Sequence, residues 1–341
     1  EDQDLKDLRE ALLSDEWSKP LEDVCGPCFG PESRGVKSYR QHQVDAWSDE
    51  PARQKMEKLV SFFKTTGEVQ AGDRVFVIQV KGIGNHCNLK CYMCTPHNST
   101  SRTTEMLKAT EESAKLFYPE WGMKRIIYNK TAYLDNENEK KQLFDVIEEL
   151  GPHIKKLNFS GGEPAMIDNY YDLMDKIIDT GNSKKIQIFM NSNLTRLTLK
   201  NRSMADYFSN FELFDIQASI DDIFERDEWI RYPSKFEKVI QNYKYLETVD
   251  SCRMTVNVTW SLLNAGNAEN ICQYFADNKF IINNHTNFVD NPKELHVKNH
   301  PLKKELIERF QDSKFKTVRE VASEMKEEYD ELQFFKAVAY I

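Results

Sequence analysis

From residue 74 onward, short apolar segments alternate with longer segments whose apolar residues recur at helical spacing. The short runs are typical of buried strands, and the longer amphipathic runs are typical of helices. Repeated strand–helix units imply right-handed crossovers and therefore a parallel sheet. The pattern predicts an α/β fold. The six predicted strands are Arg74–Val80, Ile154–Phe159, Lys185–Met190, Leu213–Ala218, Met254–Leu262 and Phe280–Phe288.

The segments between and beyond these strands are predicted to be helical. Residues 96–151 form the longest connection, and we interpret them as an insertion. Residues 35–64 are charged and have a helical pattern that Pro51 breaks. The predicted helices are Asp4–Trp17, Thr103–Phe117, Glu137–Leu150, Tyr170–Thr180, Met204–Phe211, Phe236–Val249 and Asn267–Asn278. The expected organisation is an N-terminal helical segment at 1–70, a core at 71–300 and a helical tail at 301–341.

Composition narrows the class of partner. The 341 residues include 55 acidic and 46 basic side chains, which gives a net charge of −9. This balance disfavours a broad nucleic-acid or anionic-membrane surface. No stretch of the sequence approaches the roughly 20 apolar residues of a membrane span, and the first residues lack the shape of a signal peptide. We therefore expect no nucleic-acid or membrane partner.

Seven cysteines occur, and their number and clustering argue against a disulfide framework. An acidic chain of this size with clustered cysteines is typical of a cytoplasmic, metal-binding protein. Cys252 and Cys272 are isolated within strand and helix patterns, so we interpret them as small packing residues. The candidate ligands are therefore the remaining five cysteines.

Three of these cysteines, Cys87, Cys91 and Cys94, fall in one loop directly after the first predicted strand. A loop with this spacing can place three thiolates around one face of an iron–sulfur cube, whose full protein ligation takes four cysteines. The absent fourth ligand would leave one iron open to an exogenous chelator. Zinc is the alternative, and a closed zinc site would need a fourth protein ligand, for which His86 and His97 are the nearby candidates.

The CxxxCxxC spacing after a strand resembles the signature of the radical SAM superfamily, and a second motif strengthens the resemblance. Gly161-Gly162-Glu163-Pro164 follows the second predicted strand and is similar to the superfamily's GGE(P) element. Two glycines let a backbone approach a ligand closely, and Glu163 supplies a carboxylate for an ammonium group. The resemblance implies a partial parallel (β/α)6 TIM-type barrel that binds a 4Fe-4S cluster at Cys87, Cys91 and Cys94 together with S-adenosylmethionine (SAM).

The resemblance also implies a set of SAM-binding residues at the ends of predicted strands, where parallel barrels build their active sites. Met93 stands before the third cysteine, where the superfamily often has an aromatic residue next to adenine. Asn264 would lie near the adenine, and Arg231 resembles the arginine that relatives place near the SAM carboxylate. The full implied set is Met93, Gly161, Gly162, Glu163, Asn191, Asn193, Ser219, Arg231 and Asn264.

The N-terminal pair Cys25 and Cys28 stands in a tight Cys-Gly-Pro-Cys turn. This stretch resembles the segment before the barrel in twitch-domain radical SAM proteins, where such a pair helps to hold an auxiliary iron–sulfur cluster. Structural zinc and plain reduced thiols are the alternatives. Relatives usually carry further cysteines upstream, so we expect the chain to be an excerpt of a longer protein.

The implied function is reductive cleavage of SAM to a 5′-deoxyadenosyl radical that abstracts hydrogen from a peptide or small-molecule substrate. A reductant such as flavodoxin or ferredoxin would supply the electron. One alternative is a non-enzymatic zinc- or iron–sulfur-binding module for electron transfer. Another is a degenerate member that serves as a peptide-binding partner, against which the intact Gly161, Gly162 and Glu163 argue.

Overall fold

A computed structural model describes Glu32, Ser38, Gln41 and the ranges 50–67, 76–81, 84–108 and 137–326. The chain divides into two compact units, Glu1–Val75 and Phe76–Ile341. In the first unit, helix α1 spans Glu50–Thr66 and carries Pro51 in its first turn. Proline is tolerated there because its missing N–H would have no partner within the helix. The predicted helix Asp4–Trp17 and the pair Cys25 and Cys28 lie outside the described residues.

The second unit contains the strands and the remaining helices. Its strands are β1 (Phe76–Lys81), β2 (Ile154–Ser160), β3 (Gln187–Ser192), β4 (Thr198–Leu199), β5 (Arg202–Ser203), β6 (Leu213–Ser219), β7 (Cys252–Asn257), β8 (Thr259–Trp260) and β9 (Asn287–Phe288). Its helices are α2 (Thr100–Met106), α3 (Glu137–Leu150), α4 (Asp168–Asp179), α5 (Phe224–Ile230), α6 (Phe236–Glu247), α7 (Ala268–Asp277), α8 (Lys303–Phe310) and α9 (Lys316–Glu324).

Five strands form one parallel sheet in the order β1-β2-β3-β6-β7. Along this sheet each strand lies next to the one that precedes it in the chain, apart from the short hairpin strands β4 and β5. The predicted α/β class and parallel sheet are therefore confirmed. In the part of the chain that the structure describes, β1 and β7 form the two edges of this sheet.

The two faces of the sheet differ in polarity. Residues such as Leu157, Ile188 and Phe214 share one face, are fully buried, and join a core that includes side chains of α4, α6 and α7. Burial of each such side chain stabilises the fold by about 1.5–3 kcal/mol. The opposite face carries polar side chains of intermediate exposure, including Asn158 and Gln217. A parallel sheet covered on both faces is apolar throughout its strands, whereas here the described helices that join the core pack on the apolar face.

Several elements differ from the sequence prediction. The predicted strand Phe280–Phe288 is reduced to a parallel bridge between Val256 and Ile282 and to β9, which pairs with β8. Polar residues at 283–286, which include a bend, separate these two contacts. The predicted strand Met254–Leu262 is divided into β7 and β8, and Met204–Asn210 is a 3₁₀ helix instead of an α-helix.

The described parts of the predicted insertion and tail are helical. In the insertion, α2 begins at Thr100 and ends at Met106, whereas the prediction was Thr103–Phe117; the residues after 108 are outside the described part. Helix α3 matches the predicted Glu137–Leu150. Helices α8 and α9 lie in the predicted tail. Among the described residues, no helix is both long enough and apolar enough to cross a membrane.

The parallel strands bring distant segments to one edge of the sheet. The cysteine loop follows β1, the glycine pair follows β2 and Asn193 follows β3, while Ser219 is the last residue of β6. Because all five strands point the same way, their carboxyl ends lie at a common edge. This edge is where the candidate site lies.

Candidate functional site

A cavity of about 350 Å³ opens at the carboxyl edge of the sheet. It brings together residues that are up to 172 positions apart in sequence, from Cys87 to Thr259. The predicted residues that line it are Cys87, Cys91, Met93, Cys94, Gly161, Gly162, Glu163, Asn191, Asn193, Ser219 and Arg231. Further lining residues are Leu89, Asn98, Ser160, Asp221 and Thr259.

The cysteine loop is held on two sides by hydrogen bonds. The Lys90 N–H donates to the Tyr232 carbonyl at 2.7 Å, and the Tyr92 N–H donates to the Ile230 carbonyl at 3.1 Å. On the other side, the hydroxyl of Ser101 donates to the Cys87 carbonyl at 2.6 Å. These contacts fix the loop backbone between α2 and the end of α5.

The three thiols are withdrawn from water. Cys87 and Cys91 are buried and pack with Leu89, which is 1% exposed. Burial raises the pKa of Cys94 to about 12 and also raises the pKa of Cys87 and of Cys91. Such thiols stay neutral at pH 7 unless a positive charge, such as that of a metal centre, stabilises their thiolates.

The arrangement of these sulfurs fits an iron–sulfur cluster. In the described part of the chain, no three His, Cys, Asp or Glu side chains lie close enough together to hold one metal ion. The cysteines instead line a cavity. A cluster accepts this arrangement, because each thiolate binds a different iron atom. His86 does not line the cavity, and the side chain of His97 is outside the described residues.

The glycine pair forms a turn that packs directly on the cysteine loop. Gly161 and Gly162 have φ angles of 98° and 60°, which L-residues with a side chain rarely adopt. The Glu163 N–H donates to the His86 carbonyl at 2.8 Å, and the Gly162 N–H donates to the Asn98 carbonyl at 3.2 Å. The turn therefore positions Glu163 against the loop that bears the thiols.

The Glu163 carboxylate is almost fully buried at 1% exposure. Its Oε2 accepts the Asn193 N–H at 2.6 Å, and its Oε1 accepts the Ser192 hydroxyl at 2.8 Å. Burial raises its pKa to about 7, although these hydrogen bonds oppose the increase. Each carboxylate oxygen has about two acceptor sites, so Oε2 can accept a further donor from the cavity.

Asn193 connects the end of β3 to the cysteine loop. Its Nδ2 donates to Asn88 Oδ1 at 3.2 Å and lies 3.7 Å from Cys87 Sγ. Its Oδ1 accepts the backbone N–H of Thr195 at 2.9 Å. In contrast, Asn191 Oδ1 is buried with no hydrogen-bond partner among the described residues. Asn191 thus has an acceptor that a bound molecule could satisfy.

Arg231 is the cationic group of the cavity. Its Nη1 donates to Asp221 Oδ2 at 2.6 Å, and both side chains are largely buried, at 12% and 1% exposure. The other oxygen of Asp221 accepts the Thr259 N–H at 2.8 Å. The carboxylate thus fixes the guanidinium and joins it to the segment after β7.

A second carboxylate, that of Asp227 on α5, binds the backbone next to Asp221 and so helps to hold the Asp221–Arg231 pair. Its Oδ1 accepts the N–H groups of Asp221 at 2.9 Å and Asp222 at 3.3 Å, whereas its Oδ2 is buried and has no partner within the described residues. Burial raises the pKa of Asp227 to about 7, although Arg231 opposes this increase. Asp227 is therefore protonated more readily in the folded chain than in the unfolded chain.

Replacement of Asp227 by Asn is expected to change how stability depends on pH. Because the pKa of Asp227 is higher in the folded state, its contribution to the free energy of unfolding is lost as the pH rises from about 4 to about 7. Asn keeps the acceptor for the two N–H groups and does not ionise. Relative to the wild type, Asp227→Asn should gain a few kcal/mol between pH 4.5 and pH 8, measured by urea denaturation.

Asp145→Asn is the matched control, because the Asp145 side chain is 58% exposed on α3. It should leave the pH profile of the wild type unchanged. Identical pH profiles for Asp227→Asn and the wild type would show that Asp227 does not titrate in this way.

Asn264 is the predicted SAM-binding residue that the cavity lining does not include. It is fully buried, and its Nδ2 donates to the carbonyls of Asp221 at 2.7 Å and Thr259 at 3.0 Å. The amide thus holds the two segments that position Arg231. The isolated Cys272 is buried in the core, as its helical pattern indicates, and Cys252 packs against the core while partly exposed.

Sequence reasoning did not select Asp221, Asn98, Ser160, Leu89 or Thr259. Asp221 stands two positions after the predicted residue Ser219, so its carboxylate could have been found by asking what pairs with Arg231. Asn98 and Thr259 contribute to the site through backbone groups, which leave no signal in the sequence.

A comparison with protein families identifies the superfamily of this chain. The family model for the radical SAM superfamily matches residues 82–272, more than half of the chain. No curated protein matches the sequence significantly.

Two solved structures are similar in part. One is anSMEcpe with bound AdoMet, at 18% identity, with 62% of this chain and 50% of that chain covered and a TM-score of 0.40. The other is Streptococcus suis SuiB bound to the precursor peptide SuiA, at 13% identity, with 82% and 49% covered and a TM-score of 0.41. The chain spans about half the length of these proteins.

Proposed function

Because the chain belongs to the radical SAM superfamily, we propose that it is an enzyme that cleaves SAM reductively at a 4Fe-4S cluster and abstracts hydrogen from a substrate. One observation carries this proposal. A single cavity gathers the three cysteines of the CxxxCxxC motif, the Gly-Gly-Glu turn and a buried arginine. A closed, non-enzymatic metal module, which is the alternative, would require neither the Gly-Gly-Glu turn nor the arginine.

In this proposal Cys87, Cys91 and Cys94 hold the cluster. Burial of Cys87 and Cys91 and the anchoring of the cysteine loop support this role. The chain keeps water away from the cluster side of the cavity, with Leu89 buried between the cysteines. When bound, the cluster and SAM supply one-electron cleavage that yields methionine and a 5′-deoxyadenosyl radical.

The remaining cavity residues bind and orient SAM. Glu163 Oε2 offers an acceptor to the ammonium group, and Arg231 offers a donor fork to the carboxylate. Asp221 fixes the position of Arg231, and for Asn264 we propose a positioning role through its bonds to residues 221 and 259. The other proposed contacts come from Met93, Gly161, Gly162, Asn191, Asn193 and Ser219.

Further parts of the proposal concern the rest of the chain. The sequential order of the five strands and the bridge from Val256 to Ile282 support a partial barrel. We propose domains at 1–70, 71–300 and 301–341, with Cys25 and Cys28 holding part of an auxiliary iron–sulfur cluster in a twitch-like segment.

A flavodoxin or ferredoxin in the cytoplasm would supply the electron. The substrate is a peptide or small molecule; the acidic net charge of −9 argues against nucleic acid.

The test uses anaerobically reconstituted protein with SAM and a strong reductant such as dithionite. We expect 5′-deoxyadenosine and methionine by liquid chromatography, and calorimetric binding of SAM to the reconstituted protein. A closed metal module predicts neither product nor SAM binding. Anaerobic preparations that contain zinc and no iron would overturn the proposal.

A further inference from the structure

Four polar side chains form a patch on the polar face of the sheet, here called the polar strip: Asn158, Asn191, Gln217 and Thr255. Gln217 pairs with Asn191 on one side and with Thr255 on the other. Asn158 pairs with Phe189, two positions before Asn191 on β3. Paired residues of a parallel sheet face the same side, and neighbouring strands lie about 4.8 Å apart. The strip therefore crosses four adjacent strands.

Three polar atoms of the strip have no hydrogen-bond partner among the described residues. Asn158 Oδ1, Asn191 Oδ1 and Thr255 Oγ1 are all buried, and none has a hydrogen-bond partner within the described residues. They are three of the seven such atoms found there. A buried polar atom without a partner carries the full desolvation penalty, so a group of them on one face points to a ligand that completes their bonds.

The strip is continuous with the cavity. Asn191 belongs to both, and the cavity-lining residues Ser160 and Ser219 lie two positions beyond Asn158 and Gln217 on the same strands. Side chains two positions apart on a strand point to the same face. A molecule on the strip would therefore lie directly beside the groups that fill the cavity.

On the amino-terminal side of the strip, the charged side chains of Lys156, Asp215 and Arg253 pair with one another. Both oxygens of Asp215 accept from Arg253, at 3.1 and 2.6 Å, and Lys156 lies 3.9 Å from the same carboxylate. Lys156 also lies 4.6 Å from the centre of the Phe189 ring. Recognition on the strip itself thus depends on neutral hydrogen-bonding groups.

We propose that the polar strip binds the substrate of this enzyme and recognises an uncharged amide group. The inference rests on the proposed function, because it takes the neighbouring cavity to be the SAM site. An amide N–H would donate to the Oδ1 of Asn158, because Asn191 at the cavity end of the strip is already assigned to SAM. The amide carbonyl would accept from the Gln217 side chain or the Thr255 hydroxyl. Side-chain amides present a donor and an acceptor together, and a substrate amide complements both.

The test is saturation-transfer-difference NMR on reconstituted protein saturated with SAM. Three probes are compared: N-acetylglycine N-methylamide, which has two neutral amides; methyl α-glucoside, which has only hydroxyls and ether oxygens; and N-acetylglycine, which adds a carboxylate. We expect the neutral amide to give signals at millimolar concentration and to bind several-fold more strongly than the other two probes. Equal or stronger binding of the glucoside or the carboxylate, or no binding of the amide, would overturn the proposal.

Two conservative variants locate the binding. Asn158→Leu and Thr255→Val each remove a buried, unpartnered atom, so each should raise the melting temperature by about a few degrees. Each should also weaken the amide signal several-fold. Tyr243→Phe is the matched control, because it removes a hydroxyl that is buried in the helical core and not on the strip. It should keep the amide signal.

An amide signal that survives both strip variants would place the probe elsewhere and overturn the proposal. Formation of 5′-deoxyadenosine is measured separately on the same preparations. If SAM binds but is not cleaved while the amide binding maps to the strip, the proposed reaction fails and the proposed binding surface stands. If SAM is cleaved but the amide does not bind, only the inference about the strip fails.

Discussion

Anaerobically reconstituted Cys91→Ala protein is expected to lack both cluster absorbance and detectable 5′-deoxyadenosine formation. Cys91 lies in the middle of the triplet, is buried, and lines the cavity with Cys87 and Cys94. Two remaining thiols cannot replace three-point attachment, because the cluster would lose the ligand of one iron. The measurements are the iron and sulfide content, the visible absorbance of the cluster and product chromatography.

Cys272→Ala provides the matched control. Cys272 is 1% exposed and packs in the core on α7, away from the cavity lining. Its loss should cost about 1 kcal/mol of stability and leave the iron content and SAM cleavage at wild-type levels. If Cys91→Ala retains a full cluster, or if both variants lose it equally, the assignment of the triplet as cluster ligands is wrong.

Much of the fold could be predicted because its signals are local. Short apolar segments such as Ile154–Phe159 and Leu213–Ala218, set between longer helical stretches, predicted strands within about one residue of the observed bounds. Once the strands are parallel, the position of each motif after a strand is sufficient to bring the motifs to one edge. This explains how Cys87 and Glu163 could be expected in one place, whereas Arg231, at the end of α5, was predicted only from the family resemblance.

The parts that the sequence did not predict depend on contacts between distant segments. The hairpin β4–β5 has two residues in each strand, too few to show a period of two. The strand Phe280–Phe288 looked continuous by composition, but its polar middle leaves the sheet after Ile282. The contacts of Asn264 with residues 221 and 259 cross 43 and 5 positions, and no local pattern indicates such a bond.

Asp221 and Asp227 show why the acidic residues of the site could not be identified from their charge alone. The chain has 55 acidic side chains, and most sequence positions of this kind are solvated. Only the structure shows that these two carboxylates are buried, one paired with Arg231 and the other holding backbone N–H groups. Together they connect α5 to the strand ends, so the position of the guanidinium depends on both.

Gly162→Ala is expected to reduce stability severely and to abolish SAM binding. A Cβ on Gly162 would lie 2.6 Å from the His86 carbonyl oxygen and 2.9 Å from the Asn85 carbonyl carbon, both of which are backbone atoms of the cysteine loop. The φ angle of 60° adds strain for any residue with a side chain. The combined cost should be about 3 kcal/mol or more, measured as the change in the free energy of unfolding.

Gly181→Ala is the control that separates the steric clash of the added Cβ from the backbone strain of a positive φ angle. Gly181 follows α4 with a φ of 74°, and a Cβ there would meet nothing within 4 Å. It should cost about 1–2 kcal/mol and leave calorimetric SAM binding unchanged. In Gly162→Ala the added methyl group forces the turn away from the loop, so the bonds from Glu163 to His86 and from Gly162 to Asn98 must lengthen. Because the same turn carries Glu163, SAM affinity should fall even under conditions where the variant remains folded. If the two variants are equally stable and bind SAM equally, close packing of the turn on the cysteine loop is not what the site requires.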